Sequence, residues 1–173
     1  MKKNKLFYQD NEITIFLIES KKYGTFQVKI DTKNWNRVKK YSWHINFNWK
    51  TKKIGAVESK ESRVEYGRKQ IVIHKLLTDY KMTDHIDGDV LNNLETNLRE
   101  CNHSTNAMNK GKQRNNTSGF KGVYFEKNKW RAKIEINKKQ VHLGYYSDKI
   151  EAAKAYNKAA LKYHGEFSKI NIL

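Results

Sequence analysis

The sequence predicts an α+β protein with a β-rich N-terminal platform, a central motif of two strands and a helix, and a C-terminal three-stranded antiparallel sheet packed on one helix. Three observations support this prediction. Short apolar runs with a two-residue period dominate residues 1–70, as in half-buried strands. Carboxylates and carboxamides replace that pattern at 84–106, and alternating strands followed by an amphipathic helix resume after residue 118.

The platform is predicted from β-branched and aromatic runs separated by turn residues. Its alternation is clearest at 42–48, where Trp43, Ile45 and Phe47 share one face. The expected elements are strands at 12–19, 25–30, 42–48, 54–58 and 64–73, and a short helix that is capped by Asp31 and runs through Lys40.

A short helix is expected at 74–81, directly before the central motif. Residues 110–118 contain no large apolar side chain and are polar and basic. Such a segment is typical of a linker, so the sequence predicts a domain boundary there.

The C-terminal region shows the most regular pattern. Residues 130–136 alternate strictly, with apolar side chains inward and Arg131, Lys133 and Glu135 outward. Neighbouring strands are expected at 121–125 and 139–146. A helix capped by Asp148 follows, and one side of the sheet is left open. Its expected apolar stripe is Ala152, Ala153, Tyr156, Ala159, Ala160 and Tyr163.

The charge of the chain points to a polyanionic partner. The formal net charge is +17, with 35 Lys and Arg against 18 Asp and Glu. Residues 1–70 carry +10 and residues 111–173 carry +9, whereas residues 71–110 carry −2. A chain this basic most often binds nucleic acid through phosphate contacts and counterion release. The acidic island between two basic blocks distinguishes it from a purely basic binding protein.

Composition also limits the cellular setting. A single cysteine, Cys101, rules out a disulfide within this sequence and favours an intracellular compartment. No apolar run approaches the ~20 residues that a membrane span needs. The basic N-terminus is not followed by an uninterrupted apolar signal region. We therefore expect a cytoplasmic protein without a membrane partner.

The acidic island contains the groups needed for metal-assisted hydrolysis. Asp84 is a hard oxygen donor suited to Mg²⁺ or Mn²⁺. Its neighbour His85 can serve the same site only where the strand bends, because adjacent side chains on a strand point apart. Asn97 can pair with the backbone across the loop and fix the imidazole. A helix expected from near Thr96 would then carry Asn106 back toward Asp84.

These residues resemble the HNH nuclease motif, the ββα-metal fold of homing endonucleases. The matching pattern is Asp-His-x-Asp-Gly-Asp at 84–89, followed by Asn-Asn-Leu-x-x-Asn-Leu-Arg at 92–99. The upstream Val-Ile-His-Lys-Leu-Leu at 72–77 matches the segment that usually precedes the motif. The third named position is Asn106 rather than a histidine, as is common in the phage homing branch.

The resemblance implies a role for each motif residue. His85 is the general base that activates water, and Asn97 holds the loop. Asp84 and Asn106 bind one divalent metal, Mg²⁺ or Mn²⁺, against the scissile phosphate. The implied products carry a 5′-phosphate and a 3′-hydroxyl.

The C-terminal region resembles the APETALA2-type DNA-binding domain, whose members lay a three-stranded sheet into the major groove. Tyr124 and Glu126 stand where plant members carry arginines, and His142 stands where they carry a tryptophan. The base preference of the plant domains is therefore not expected here. The matching segments are Gly119–Tyr124, Trp130–Ile134, His142–Tyr145, Glu151–Asn157 and Gly165.

Together the two resemblances predict a phage- or intron-type HNH homing endonuclease that acts on double-stranded DNA in the host cytoplasm. The domain scheme is 1–109 for the nuclease, with 71–109 as its ββα-metal motif, then 110–118 as linker and 119–173 as DNA-binding domain. It is expected to have no small-molecule substrate and to act as a monomer that nicks or a homodimer that cuts both strands. The expected DNA contacts are Lys112, Arg114, Lys121, Tyr124, Arg131, Lys133, Gln140 and His142.

Several alternatives remain open at this stage. The acidic residues of the island could be simple turn residues, and His85, Cys101 and His103 could be three zinc ligands. The chain could be a non-catalytic DNA-binding regulator on a nuclease scaffold. It could also bind structured intron RNA, which relative affinity for duplex DNA and RNA would reveal.

Overall fold

The computed structural model describes residues 4–60 and 70–173, apart from the side chain of Lys60. Within those residues the protein is a mixed α+β structure with four small sheets and four α-helices. It divides into two compact units, Met1–Cys101 and Asn102–Leu173. No helix in the described part is both long and apolar enough to cross a membrane.

The described part of the first unit contains nine strands and two short α-helices. In chain order they are β1 (Lys5–Gln9), β2 (Ile13–Ser20), β3 (Gly24–Asp31), α1 (Trp35–Val38), β4 (Trp43–Asn48), β5 (Lys53–Lys60), β6 (Gln70–Val72), α2 (Ile73–Leu77), β7 (Thr83–His85), β8 (Asn92–Asn93) and β9 (Leu98–Glu100). Three sheets result, in the orders β1-β2-β3-β8, β4-β5-β6 and β7-β9. The predicted strands at 12–19, 25–30, 42–48 and 54–58 are confirmed with small shifts of their ends, whereas β1 was not predicted.

One hydrophobic core is shared by the elements of this unit. Phe16, Val28 and Ile30 from the first sheet are fully buried, as is Ile73 at the start of α2. The core also receives Leu98 from β9. The strands of the central motif are therefore packed on the platform rather than exposed as a separate module.

β8 joins the central motif to the platform. It pairs in parallel with β3, with Lys29 opposite Asn92 and Ile30 opposite Asn93. The backbone nitrogen of Lys29 also donates to the carbonyl of Leu91 at 2.9 Å. This pairing fixes a loop of the motif against a strand more than 60 residues earlier in the sequence.

Both helices of the first unit differ from their predicted extents. α1 ends at Val38 rather than Lys40, after a 3-10 turn at Thr32–Asn34, and Asp31 makes no side-chain cap there. Its carboxylate instead accepts a hydrogen bond from the backbone nitrogen of Glu95 at 2.8 Å. α2 spans five residues instead of 74–81. The predicted strand at 64–73 lies partly outside the described residues, and its described end is β6.

The predicted helix that carries Asn106 exists, but its predicted start near Thr96 is wrong, because it begins at His103. Glu95–Asn97 form a single 3-10 turn, and the chain then extends as β9. The reason is pairing: Asp84 of β7 lies opposite Arg99, and His85 opposite Leu98. A helix could not make these interstrand contacts.

The second unit holds the remaining two helices and one antiparallel sheet. Its elements are α3 (His103–Asn109), β10 (Val123–Glu126), β11 (Lys129–Ile136), β12 (Lys139–Tyr146) and α4 (Lys149–His164). The compact division therefore falls before α3, whereas the domain scheme from the sequence keeps 102–109 with the nuclease motif. The three strands and the helix confirm the predicted sheet-and-helix arrangement.

α4 packs across one face of this sheet. Asp148 caps it by accepting from the backbone nitrogen of Ile150 at 2.6 Å. A side chain at Gly122 would place its Cβ 2.1 Å from the ring of Tyr156, so the helix contacts bare backbone there. The predicted stripe is buried except at Tyr163, which is 47% exposed. His164 is the buried residue of the last turn of α4, and its Nε2 lies 2.8 Å from the carbonyl oxygen of Glu135.

The tail after α4 is held by one residue. Asn171 exchanges two hydrogen bonds with the side chain of Asn157 and two with the backbone of Lys121, at 2.6 to 3.1 Å. These bonds join the tail, α4 and the loop before β10.

Candidate functional site

The first two motif residues lie next to each other on β7, and both are buried. Asp84 is 8% and His85 6% exposed, although the two side chains are neighbours on a short strand. The strand ends at His85, and the chain turns at once through a bond from the nitrogen of Gly88 to the carbonyl of His85. The chain therefore turns directly after His85, and a shared site for Asp84 and His85 stays a prediction.

Asp84 is paired with Arg99, a residue that the sequence analysis did not single out. Its Oδ2 accepts from Arg99 Nη2 at 2.8 Å and from Nε at 3.1 Å. Both side chains are about nine-tenths buried, at 8% and 10% exposure. A buried charge is stable only when it is paired and hydrogen-bonded, so this cross-strand pair fixes the carboxylate.

The imidazole of His85 is hydrogen-bonded to Asn93 of β8. His85 Nε2 and Asn93 Oδ1 are 3.1 Å apart, and Asn93 is completely buried. The sequence analysis assigned this anchoring to Asn97. Asn93 was missed because nothing in the local pattern shows that residues 92 and 93 join the platform sheet.

His74 of α2 contacts the other histidine edge-on. The two ring centroids are 5.3 Å apart and the ring planes meet at 81°. Burial, and next the charge of His85, lower the pKa of His74 to about 4. His74 is therefore neutral at physiological pH and adds no charge beside His85.

Asn97 closes the loop between β7 and β9. Its Oδ1 accepts from the backbone nitrogen of Asp87 at 3.1 Å. Its Nδ2 donates to Asp87 Oδ1 at 2.9 Å and to the carbonyl of Asn92 at 2.8 Å. Burial would raise the pKa of Asp87, but hydrogen bonds from Asp89, Asn92 and Asn97 lower it below its usual value. The loop-holding geometry expected of Asn97 is present.

Asn106 lies on α3, in the second compact unit. The helix begins at His103 because Asn102 caps it, accepting from the backbone nitrogens of Ser104 and Thr105. Asn106 is half-buried. Its assignment as a metal ligand stays a prediction.

The Asp84 carboxylate is one hard oxygen donor, and its role as a ligand of Mg²⁺ or Mn²⁺ stays a prediction. Mg²⁺ is commonly held by one or two protein carboxylates together with substrate phosphate and water. In the described ranges, no three His, Cys, Asp or Glu side chains are grouped as a metal site. Burial, and then the nearby Asp84, raise the pKa of the Cys101 thiol, which makes it a poor thiolate ligand. The described residues therefore do not support the alternative zinc site.

The open face of the C-terminal sheet carries most of the predicted DNA contacts. Tyr124 lies opposite Arg131, Lys133 opposite His142, and Glu135 opposite Gln140. Lys133 Nζ lies 4.4 Å from the centre of the Tyr124 ring. Five of the eight predicted DNA-contacting side chains are thus brought together on one surface, which we call the sheet face: Tyr124, Arg131, Lys133, Gln140 and His142.

Arg131 is held at the centre of the sheet face by two neighbours. Its Nη1 donates to Glu126 Oε2 at 2.9 Å and its Nε to His142 Nδ1 at 3.3 Å. The His142 ring in turn contacts Tyr145, with centroids 4.8 Å apart. The hydrogen bond from Arg131 lowers the pKa of Glu126 below its usual value. Glu126 and Tyr145 were not among the predicted contacts, yet they help to orient this guanidinium.

The remaining predicted contacts differ in their surroundings. Lys112 and Arg114 are exposed, and Lys112 Nζ donates to the carbonyl of Gly119 at 2.9 Å. Lys121 is half-buried, and its Nζ donates to the carbonyl of Met108 in α3 at 2.5 Å. Burial, and then Lys169, lower the pKa of Lys121 to about 8. The structure gives Lys121 a role in holding α3, and its contact with DNA stays a prediction.

Comparison with known proteins gives three relatives. No protein-family model and no solved structure matches the chain. An uncharacterized HNH endonuclease of Acanthamoeba polyphaga mimivirus is 28% identical over an alignment of 174 positions that covers 95% of this chain and 84% of that protein. Protein 3.8 of Escherichia phage T7 is 33% identical over 88 residues, 50% of this chain and 72% of its own length.

The third relative covers a shorter stretch. An ethylene-responsive transcription factor-like protein of Arabidopsis thaliana is 50% identical over 41 residues, which is 24% of this chain. The matched stretch is 18% of the length of that plant protein.

Proposed function

We propose that this chain, which belongs to the same family as protein 3.8 of Escherichia phage T7, is a site-specific endonuclease of the HNH homing type that acts on duplex DNA. The observation that carries the proposal is the buried Asp84–His85 pair at the end of β7, where each side chain has a defined polar partner. The relative named an HNH endonuclease aligns along 95% of the chain, and so includes this pair's surroundings. The net charge of +17 suits a polyanionic substrate.

The proposed reaction is hydrolysis of one phosphodiester bond. His85 takes a proton from water, the resulting hydroxide attacks phosphorus, and the 3′-oxygen leaves, which gives a 5′-phosphate and a 3′-hydroxyl. Asp84 and Asn106 would hold one Mg²⁺ or Mn²⁺. That ion, when bound, supplies electrostatic stabilisation of the charge that develops on the phosphate. Arg99 keeps the Asp84 carboxylate in place.

The sheet face is the proposed sequence reader. Arg131 presents a fixed guanidinium, the group that most often makes a bidentate contact with guanine in the major groove. The other side chains of the sheet face, which are polar or aromatic, surround it. The relative named as a transcription factor-like protein matches a segment of this chain, which favours DNA binding by one part of it.

A direct cleavage assay tests the proposal. The full chain is incubated with supercoiled plasmids that carry random inserts, in Mg²⁺, in Mn²⁺ and in EDTA, and the ends produced are sequenced. We expect metal-dependent nicking or linearisation at a restricted set of sites, with 5′-phosphate ends. Tight, site-selective binding without cleavage in either metal would favour the second candidate function, a DNA-binding regulator on a nuclease scaffold.

Two substitutions should separate sequence reading from phosphate binding. Arg131→Ala should reduce discrimination at one or two base pairs by about 5- to 150-fold, the range for one bidentate guanine contact. Lys112→Ala should weaken binding to all sequences and lower the salt slope by roughly one, because it would remove one phosphate contact. Binding titrations on matched and mismatched duplexes at several salt concentrations measure both effects.

The exposed Lys158 of α4 offers a matched control for charge. α4 packs on the opposite face of the sheet, so Lys158→Ala should change neither base discrimination nor the salt slope measurably. If Arg131→Ala instead behaves like Lys112→Ala, with a uniform loss on all duplexes, the sheet face binds backbone and the reader lies elsewhere.

A further inference from the structure

The position of Asn93 is set by the platform sheet and not by the nuclease loop. Asn93 lies on β8 opposite Ile30 of β3, and both residues are fully buried. The residue before it, Asn92, pairs with Lys29 of the same strand. Two adjacent positions of the motif are thus registered on a strand of the first 70 residues, and the Asn93 side chain has little freedom to move.

The orientation of the Asn93 carboxamide is determined by its second hydrogen bond. Its Nδ2 donates to the carbonyl of Val90 at 3.0 Å, while its Oδ1 faces His85 Nε2 at 3.1 Å. A flipped amide would set Oδ1 against the carbonyl of Val90, so that two acceptors faced each other without a proton. The group that faces the imidazole is therefore an acceptor.

This acceptor determines which ring nitrogen of His85 carries the proton. A carboxamide oxygen cannot donate, so His85 Nε2 must be the donor of this bond. A neutral imidazole carries one proton, and its other nitrogen then holds the lone pair. With the proton on Nε2, the basic nitrogen of His85 is Nδ1.

We propose that Asn93 is the positioning residue of the general base: anchored on β3, it holds the His85 proton on Nε2 and thereby makes Nδ1 the nitrogen that accepts the proton from water. This inference rests on the proposed nuclease function. It also gives the N-terminal platform a task in the reaction, because β3 is the strand that fixes Asn93. The platform then sets the tautomer of the base in addition to supporting the fold.

One proton moves from water to His85 and then to solvent. The lone pair of Nδ1 forms an N–H bond as the O–H bond of water breaks, and the oxygen of that water forms the new bond to phosphorus. The bond from phosphorus to the 3′-oxygen breaks, and that oxygen takes a proton from solvent. The imidazolium, protonated on both nitrogens, returns the Nδ1 proton to solvent and keeps the one that Asn93 holds.

Nitrogen NMR of the full-length chain labelled with ¹⁵N-histidine reads the tautomer directly and needs neither DNA nor metal. The spectrum is recorded in the neutral form of the ring, and the His85 signals are assigned by their absence in His85→Gln. We expect a protonated Nε2 and an unprotonated Nδ1 in the wild type. A wild-type spectrum with the proton on Nδ1 would overturn the inference.

Variants at position 93 separate positioning from support of the fold. Asn93→Asp keeps an acceptor of the same size, so we expect the Nε2 proton to remain. Asn93→Leu removes the acceptor, so we expect a mixture of tautomers and a cleavage rate lower by on the order of 10²-fold, the lower end of a general-base contribution. Asn92→Ala removes a loop hydrogen bond to Asp87 and leaves the acceptor of the ring in place, so its tautomer should match the wild type.

The outcomes distinguish this inference from the function on which it rests. A wild-type protein with the expected tautomer and no cleavage in Mg²⁺ or Mn²⁺ contradicts the nuclease proposal, and with it the role of Nδ1 as base. An active wild type with the proton on Nδ1 contradicts the role of Asn93 and leaves the function standing. If Asn93→Leu keeps the wild-type tautomer, Asn93 does not position the ring, whatever the cleavage rate of that variant.

Discussion

Replacement of His85 by alanine should abolish DNA cleavage and leave DNA binding nearly unchanged. A general base contributes typically ~10²–10⁴-fold to the chemical step, and the substitution removes the only group assigned to that task. In the proposed complex, binding rests on the sheet face and on exposed lysines and arginines far from His85 in the sequence. Single-turnover cleavage and an equilibrium binding titration on the same duplex measure the two quantities.

His44→Ala is a suitable control for the loss of an imidazole. His44 lies on β4 of the same unit and is half-exposed, so its removal should leave both cleavage and binding close to wild type. Because His85 is buried, circular dichroism should confirm that the His85→Ala protein is folded. A folded His85→Ala protein that cuts within a few-fold of wild type would show that another group is the base.

Asp84→Ala should remove metal-dependent cleavage and also destabilise the first unit. The substitution deletes the proposed carboxylate ligand and removes one side of the buried ion pair with Arg99. Removal of one partner of a buried ion pair lowers the free energy of unfolding by about 3–5 kcal/mol. Chemical denaturation followed by tryptophan fluorescence reports on this unit, which holds Trp35, Trp43 and Trp49 of the four tryptophans.

The double variant Asp84→Leu with Arg99→Met separates the two consequences. Replacing both charges with apolar groups removes the guanidinium together with the carboxylate, so most of the lost stability should return, whereas cleavage should stay absent. Recovery of cleavage in the double variant would show that Asp84 is not a metal ligand. A change of less than about 1 kcal/mol in Asp84→Ala would show that the pair behaves as a solvent-exposed one.

The sequence predicts the second unit well because its signals are local. Residues 130–136 alternate without a break, and each neighbouring turn contains an asparagine, Asn128 at one end and Asn137 at the other, a residue type that adopts a positive φ more readily than most. Asp148 marks the start of α4 by side-chain capping. Period, turn chemistry and cap all lie within a few residues of the structure that they specify.

The parts that the sequence analysis missed depend on pairings between distant segments. β9 is three residues long, too short to show a period, and it forms because β7 lies beside it. The contact between Asp84 and Arg99 follows from that register. Asp31 was assigned to a helix cap from its neighbours in sequence, yet its carboxylate bonds to Glu95, which lies 64 residues away.

The candidate site was predicted in part for the same reason. His85, Asp84 and Asn97 belong to a contiguous pattern, so they could be identified from the sequence alone. Asn93 lies inside that pattern, but its role depends on the parallel pairing of β8 with β3. Nothing near residue 93 predicts that pairing.

The contacts of Arg131 have a consequence for the way in which a base would be selected. Without DNA, its guanidinium is already paired with Glu126 and His142. In the proposed complex, guanine would therefore have to displace hydrogen-bond partners that Arg131 already has. A base that offers a single acceptor adds little binding free energy in such an exchange, because the Arg131 guanidinium is nearly as well hydrogen-bonded to its neighbours on the sheet. Mismatched sites are then disfavoured because Glu126 and His142 compete for the guanidinium, and not because of a steric clash. Removal of the Glu126 carboxylate should make the protein bind more sites and discriminate among them less.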